Sequence, residues 1–221
     1  DAALRHYRHA FRLFAELGDS TGQAHTHLNL AWMFGQQGDH GKALDHAGQA
    51  YDLYLAAGDR SGQARALNNS GWYHARLGDY PKALSCCRDA LDLQQEIGDE
   101  HGAAATWDTL GYAHHRLGNH PEAIDCYEKA LHDYRRTGDR CSEADTLTHL
   151  GDAHAAAGDQ AAGQDARRRA IEILGDLGAG RAQPPRWPRD PPGHRNRTGP
   201  GSRAGRNGGS PDQPVRAGTG P

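Results

Sequence analysis

The chain has 221 residues, of which 24% are charged and 36% hydrophobic, with a formal net charge of −3. No run approaches the ~18 apolar residues of a membrane span and no signal-peptide pattern opens it, which predicts a cytoplasmic protein. Charge is unevenly divided: from Ala179 onward eight Arg face Asp190 and Asp212, net +6, which leaves −9 on residues 1–178, a poor match for a nucleic-acid backbone.

Taken in order, residues 2–17 place Leu4, Tyr7, Ala10, Phe11 and Phe14 at helical spacing. Ala10 falls on the slot that Ala50, Ala90 and Ala130 occupy forty residues apart further on. Residues 1–19 therefore read as the second helix of a repeat without its first. Asp1 sits inside a helical pattern and Met33 is the one methionine, so the chain is expected to be a fragment or processed piece of something longer. An apolar face open at that end predicts self-association through the truncated helix.

Four forty-residue units follow, at 22–58, 62–98, 102–138 and 142–178. First helices are expected near 22–37, 62–77, 102–117 and 142–157, and second helices near 41–57, 80–97, 120–137 and 160–177. A Gly-Asp or Gly-Asn pair falls every twenty residues, from Gly18 to Gly158. Glycine just past a helix suits a left-handed cap, and the Asp or Asn beside it can cap the next helix. Pro81 and Pro121 stand at helix starts, where a missing N–H costs little. Small residues recur at Ala31, Gly71, Gly111 and Gly151, matched by Ala43, Ala83, Ala123 and Gly163, as close helix crossings require. Arg167–Arg169 give the fourth unit a more polar face, as a terminal cap needs.

Residues 179–221 hold nine Pro and nine Gly and no Leu, Ile, Phe, Met or Tyr. Such a segment cannot bury enough apolar area to offset its ordering entropy, and it is read as a disordered tail. Its arginines suit either nucleic-acid binding or nothing beyond an incidental tail.

The third unit carries the family pattern. Trp107, Leu110, Gly111 and His114 follow W-x2-L-G-x2-Y with His at the aromatic position, and Ala123, Tyr127 and Ala130 follow A-x3-F-x2-A. Here the chain resembles a tetratricopeptide repeat (TPR) protein. That resemblance implies an all-α, right-handed α-solenoid of helix-turn-helix repeats, binding a protein or peptide in its concave groove. The forty-residue units, and the ending SEADTLTHLGDAHAAAGDQAA, are also similar to the C-terminal TPR arrays of bacterial antibiotic-regulatory-protein transcriptional regulators. There the array follows DNA-binding and NB-ARC nucleotide-binding domains, whose motifs are not found in this sequence. Partners would then include other domains of the same parent protein. A free-standing TPR adaptor is the alternative.

Chemistry-bearing patterns are few. Fifteen histidines invite a metal, but His74, His114 and His154 lie a whole repeat apart, which Zn–N bonds near 2 Å cannot span. H-E-x-x-H, G-x-S-x-G and P-loop motifs are missing, so neither an enzyme nor a bound cofactor is expected. Cys86, Cys87, Cys126 and Cys141 form no C-x-x-C pair and read as reduced thiols. The candidate site is the inner groove. Repeat register places Asn29, Asn69, Thr109 and His149 there, flanked by Asn68 and Asp108, with Trp32, Trp72 and Tyr112 just after the small residue. An Asn amide offers one donor and one acceptor pattern to a peptide backbone, and aromatics beside it supply apolar cover.

Overall fold

A computed structural model describes residues 2–178, with side chains from residue 4. The expected disordered tail, 179–221, lies outside the described residues. Among these the chain forms helices only: α1 (Ala2–Glu16), α2 (Ser20–Gln36), α3 (His40–Ala57), α4 (Arg60–Leu77), α5 (Tyr80–Ile97), α6 (Glu100–Arg116), α7 (His120–Thr137), α8 (Arg140–Ala156) and α9 (Gln160–Gly178). They alternate as first and second helices of stacked hairpins, an all-α solenoid.

The twenty-residue punctuation works as read. Every glycine from Gly18 to Gly158 at that interval has a left-handed backbone, with φ between 67° and 92°. Only glycine adopts this without strain, so the chain reverses there and the next helix begins two residues later. The first helices begin two residues earlier than expected. Asp19, Asp59, Asp99 and Asp139 are their caps, each accepting a hydrogen bond from the N–H three residues on, at 2.8–3.1 Å. Each such cap is worth about 0.5–2 kcal/mol, enough to set the boundary. Asn119 caps α7 by backbone position alone, without a side-chain bond.

The core is divided among neighbouring repeats. Ala31, Ala43 and Ala47 pack with Trp72 and Tyr73 of the next repeat, and Tyr127 and Leu131 pack with Leu147, Leu150 and Ile173. Within a hairpin the slot of Ala31, Gly71, Gly111 and Gly151 meets Ala47, Cys87, Tyr127 and Arg167. A Cβ built on Gly111 would stand 2.6 Å from the Tyr127 ring, and one on Gly71 would stand 2.5 Å from the Cys87 sulfur. A second row of glycines, which spacing alone did not single out, serves the joint between repeats. Gly22 lies under Phe14 and Gly62 under Tyr54, with room for no side chain.

Curvature follows from which helices meet. Successive first helices approach one another, α2 to α4, α4 to α6 and α6 to α8, whereas successive second helices do not. First helices therefore line the concave side. The ends differ from expectation in one respect. Arg167 and Arg168 make α9 polar at its start, paired with Asp152, Asp165 and Glu172, yet Ile171 and Leu174 further along are 69% and 49% exposed. No later repeat among the described residues covers them.

Candidate functional site

The inner face is built by residues spaced three and four apart along α2, α4, α6 and α8. On α4, Trp72 sits 4.9 Å, ring centre to ring centre, from Tyr112 of α6. Tyr112 lies 6.4 Å from the ring of His149 on α8, and His149 Nδ1 is 3.2 Å from Asp108 Oδ1. Side chains from three successive first helices thus form one continuous row. Burial alone would lower the pKa of His149, but the Asp108 carboxylate and its hydrogen bond, with Asp145 and Asp152 nearby, raise it above the ordinary imidazole value.

The residues singled out by register fall on α2, α4, α6 and α8, but register could not give their depth. Asn29, Trp32, Asn68, Asn69, Tyr112 and His149 are half-buried on the first helices. Trp72 is only 6% exposed, so it is a wall of the groove and not a free anchor. Asp108 and Thr109 are 1% and 2% exposed; Thr109 Oγ1 donates to the Ala105 carbonyl of its own helix. Asn69 Nδ2 donates to the Arg65 carbonyl, whereas the buried Asn68 Oδ1 and Asp108 Oδ2 have no hydrogen-bond partner.

Sequence reasoning passed over three cations carried by the first helices α4 and α6. Arg65 donates from its NH2 group to His25 Nε2 and to the Tyr54 hydroxyl, each at 3.0 Å. Arg76 lies 5.4 Å over the Trp72 ring, and Arg116 Nε donates to the Tyr80 hydroxyl at 3.4 Å. Arg76 and Arg116 share a slot one repeat apart, a signal that was readable from the spacing.

Histidines and cysteines take structural places. Among the described residues no group of three or more His, Cys, Asp or Glu converges to hold a metal ion. His27 and His46 face each other through Nδ1 atoms 2.9 Å apart, so one donates and the other accepts. Burial, then the neighbouring His46, pushes the His27 pKa down to about 4. All four cysteines are free, and burial raises the Cys126 thiol to about 11 and pushes the enclosed Cys87 well above its ordinary value. Raised thiols such as Cys87 and Cys126 are poor nucleophiles. No described helix is long and apolar enough to cross a membrane.

The profile of the family described as Tetratricopeptide repeat matches residues 1–56, 62–136 and 102–176. BtubC (BKLC) from P. vanneervenii superposes with a TM-score of 0.65 at 23% identity, over 83% of this chain and 76% of that one. Aspartyl phosphate phosphatase F from Bacillus subtilis gives 0.69 at 13% identity, over 79% and 46%. A Rap protein complexed with Competence and Sporulation Factor gives 0.71 at 17%, over 78% and 48%. The chain spans less than half the length of the last two, and identities this low establish the fold alone. No curated protein matches the sequence.

Proposed function

The chain belongs to the tetratricopeptide repeat family, and from that premise we propose that it is a protein-interaction module holding a peptide or protein segment on its concave face. The observation that carries this reading is the Asn68 side chain. It lies half-buried beside Asn69 in the middle of the inner row, and its Oδ1 has no hydrogen-bond partner. An unmet buried acceptor costs about 1–3 kcal/mol, which a backbone N–H from a bound segment would recover. Trp32, Tyr112 and the covered Trp72 flank it with apolar surface suited to the rest of such a segment. One structural neighbour is itself complexed with a factor, as its description states. We further propose that the array serves a larger transcriptional or signalling regulator of the kind its repeats resemble, where the bound segment belongs to a partner protein or another domain of the parent.

The test is site-specific photocrosslinking. A photoreactive residue placed at Asn29, Asn69 or His149 of the full chain should capture the partner in a lysate of the native host. The same residue at outer positions Gln49 or Glu128 should not. Capture confined to the outer positions would overturn the concave assignment.

A further inference from the structure

We propose that the concave face selects an acidic segment, recognised through three arginines whose charge the protein leaves unneutralised: Arg65, Arg76 and Arg116. This rests on the reading of that face as the binding groove and names the chemistry of its occupant. Arginines of the array differ in what holds them. Arg60, Arg135, Arg136, Arg140 and Arg167 reach carboxylates. Arg65, Arg76 and Arg116 are instead held by neutral groups, namely His25 and Tyr54, the Trp72 ring, and the Tyr80 hydroxyl. No carboxylate pairs with any of the three among the described residues. Arg65 Nε is, in addition, a buried donor without a partner.

The placement is not what the overall charge predicts. Residues 1–178 are acidic, and each of α3, α5 and α7 on the outer side carries one more carboxylate than cations. On the inner side α2 has no Asp, Glu, Lys or Arg, and the one acid of α6 on that face, Asp108, is enclosed and bonded to His149. The uncharged α2 and the arginines of α4 and α6 held by neutral groups thus leave the inner side neutral to positive across the first three repeats, whereas the outer helices are net negative. An aromatic ring or hydroxyl fixes a guanidinium without consuming its charge, so its remaining N–H donors stay aimed at an incoming anion. Such pre-positioning lowers the ordering cost of each contact.

The spacing limits the ligand. Arg76 and Arg116 occupy one slot in adjacent repeats, about 10 Å apart by ordinary helix packing. An extended chain covers that distance in about three residues, so two carboxylates three positions apart would engage both. Arg65 lies eleven residues before Arg76, about 16 Å along α4, and would take a third carboxylate toward the other end. Asn68 and Asn69 lie between for the backbone. Asp145 and Asp152 on α8 close the positive stretch at the fourth repeat. A short run of Asp or Glu fits this bounded patch. A nucleic acid, with its dense and continuous charge, would meet the acidic flanks.

The experiment uses the full chain and three labelled probes in fluorescence anisotropy: an unstructured peptide with Glu at every third position, its Lys counterpart, and a single-stranded oligonucleotide of matched charge. The Glu peptide should bind, weaken as salt rises, and lose about tenfold or more in affinity with Arg76→Glu/Arg116→Glu. Both residues are exposed, and an unchanged melting temperature would show that the variant folds. Lys82→Glu/Lys129→Glu on the outer helices should leave the affinity within about twofold. Equal binding of the Lys peptide, an unaltered affinity in the arginine variant, or tighter binding of the oligonucleotide through the same arginines would each overturn the proposal. A native partner crosslinked at Asn69 but indifferent to the arginine reversal would leave the groove assignment standing and remove only its acidic selectivity.

Discussion

Asp108 and His149 tie the first helices of the third and fourth repeats together across 41 positions of sequence, with Asp108 Oδ1 and His149 Nδ1 3.2 Å apart. The carboxylate is almost wholly enclosed, while the imidazole side chain keeps a quarter of its surface open. A solenoid is stabilised by its neighbour-to-neighbour joints. Here one joint is electrostatic and depends on a proton. It lies at the end of the aromatic row that begins at Trp72, so the joint and the groove are one structure.

That proton makes the joint testable. The pKa of His149 is raised in the folded chain. Its stabilisation is therefore fully present below the unfolded imidazole value near 6.5 and is lost as pH rises through the raised value. Asp108→Asn should cost about 1–2 kcal/mol at acidic pH and much less in mild alkali, where it also removes an enclosed carboxylate facing a neutral ring. Denaturant titrations of both proteins across that range would check it. A penalty constant with pH would show that shape and not charge makes the joint.

His27 runs the other way. Its pKa falls to about 4, because burial and the facing His46 favour the neutral ring. The unfolded chain then binds a proton that the folded chain refuses, so stability is lost as pH falls from about 6.5 toward 4. His40, His46, His74, His114 and His115 are lowered as well, mainly by burial. The array should consequently weaken in mild acid despite the opposite trend at His149. Leu67 and Leu147 fill the His27 slot in other repeats. His27→Leu should thus flatten the acid limb by something on the order of 2 kcal/mol, measured as the change in unfolding free energy between about pH 7.5 and about pH 5. An unaltered pH slope would assign the acid sensitivity elsewhere.

The small-residue slot trades volume with the residue it faces. Ala31 is tolerated in the first repeat because Ala47 lies opposite, whereas Gly111 faces the ring of Tyr127. Gly111→Ala should force that enclosed ring aside at a cost of about 1–3 kcal/mol. In a Tyr127→Ala background the same substitution should cost close to nothing, since the clash is gone. Thermal melts of the four proteins give the coupling directly. Additive effects would mean that Gly111 is required for its backbone and not for its missing Cβ.

Much of this architecture was legible in the sequence because a solenoid repeats its chemistry at fixed spacing. The glycine–aspartate punctuation and the alanine crossings each recur, so an error in one repeat is corrected by the others. Depth was not legible. Asn68, Asp108 and Thr148 share a slot, yet Asp108 is enclosed by the bulk of Tyr127 and His149 while Thr148 is exposed. Helix starts were displaced for a similar reason: spacing marks the apolar stripe, but the aspartate caps begin the helix before the stripe does. The arginines of α4 and α6 were overlooked because register reports a face and not the partner that holds a side chain.

Within the groove, Asn69 and Trp72 should behave differently from each other. Asn69 is half-buried and its amide nitrogen is bonded to the Arg65 carbonyl, a carbonyl already placed to accept within α4. Asn69→Ala should therefore cost little stability and weaken a bound segment several-fold, in line with about 0.5–1.5 kcal/mol for one hydrogen bond. Trp72 is 6% exposed and packs against Tyr112 under Arg76. Trp72→Ala would open a cavity where the first three repeats meet and should destabilise the array by about 3–5 kcal/mol. Any loss of binding in that variant would then reflect the damaged wall. Asn68→Ala separates the two effects, because it removes an acceptor that lacks a partner in the free protein. It should leave the melt unchanged or raise it slightly, while lowering affinity for the partner captured by crosslinking. Calorimetric titration beside a thermal melt decides the matter: binding that survives Asn68→Ala and Asn69→Ala together, in a protein of undiminished stability, would place the ligand away from the centre of the groove.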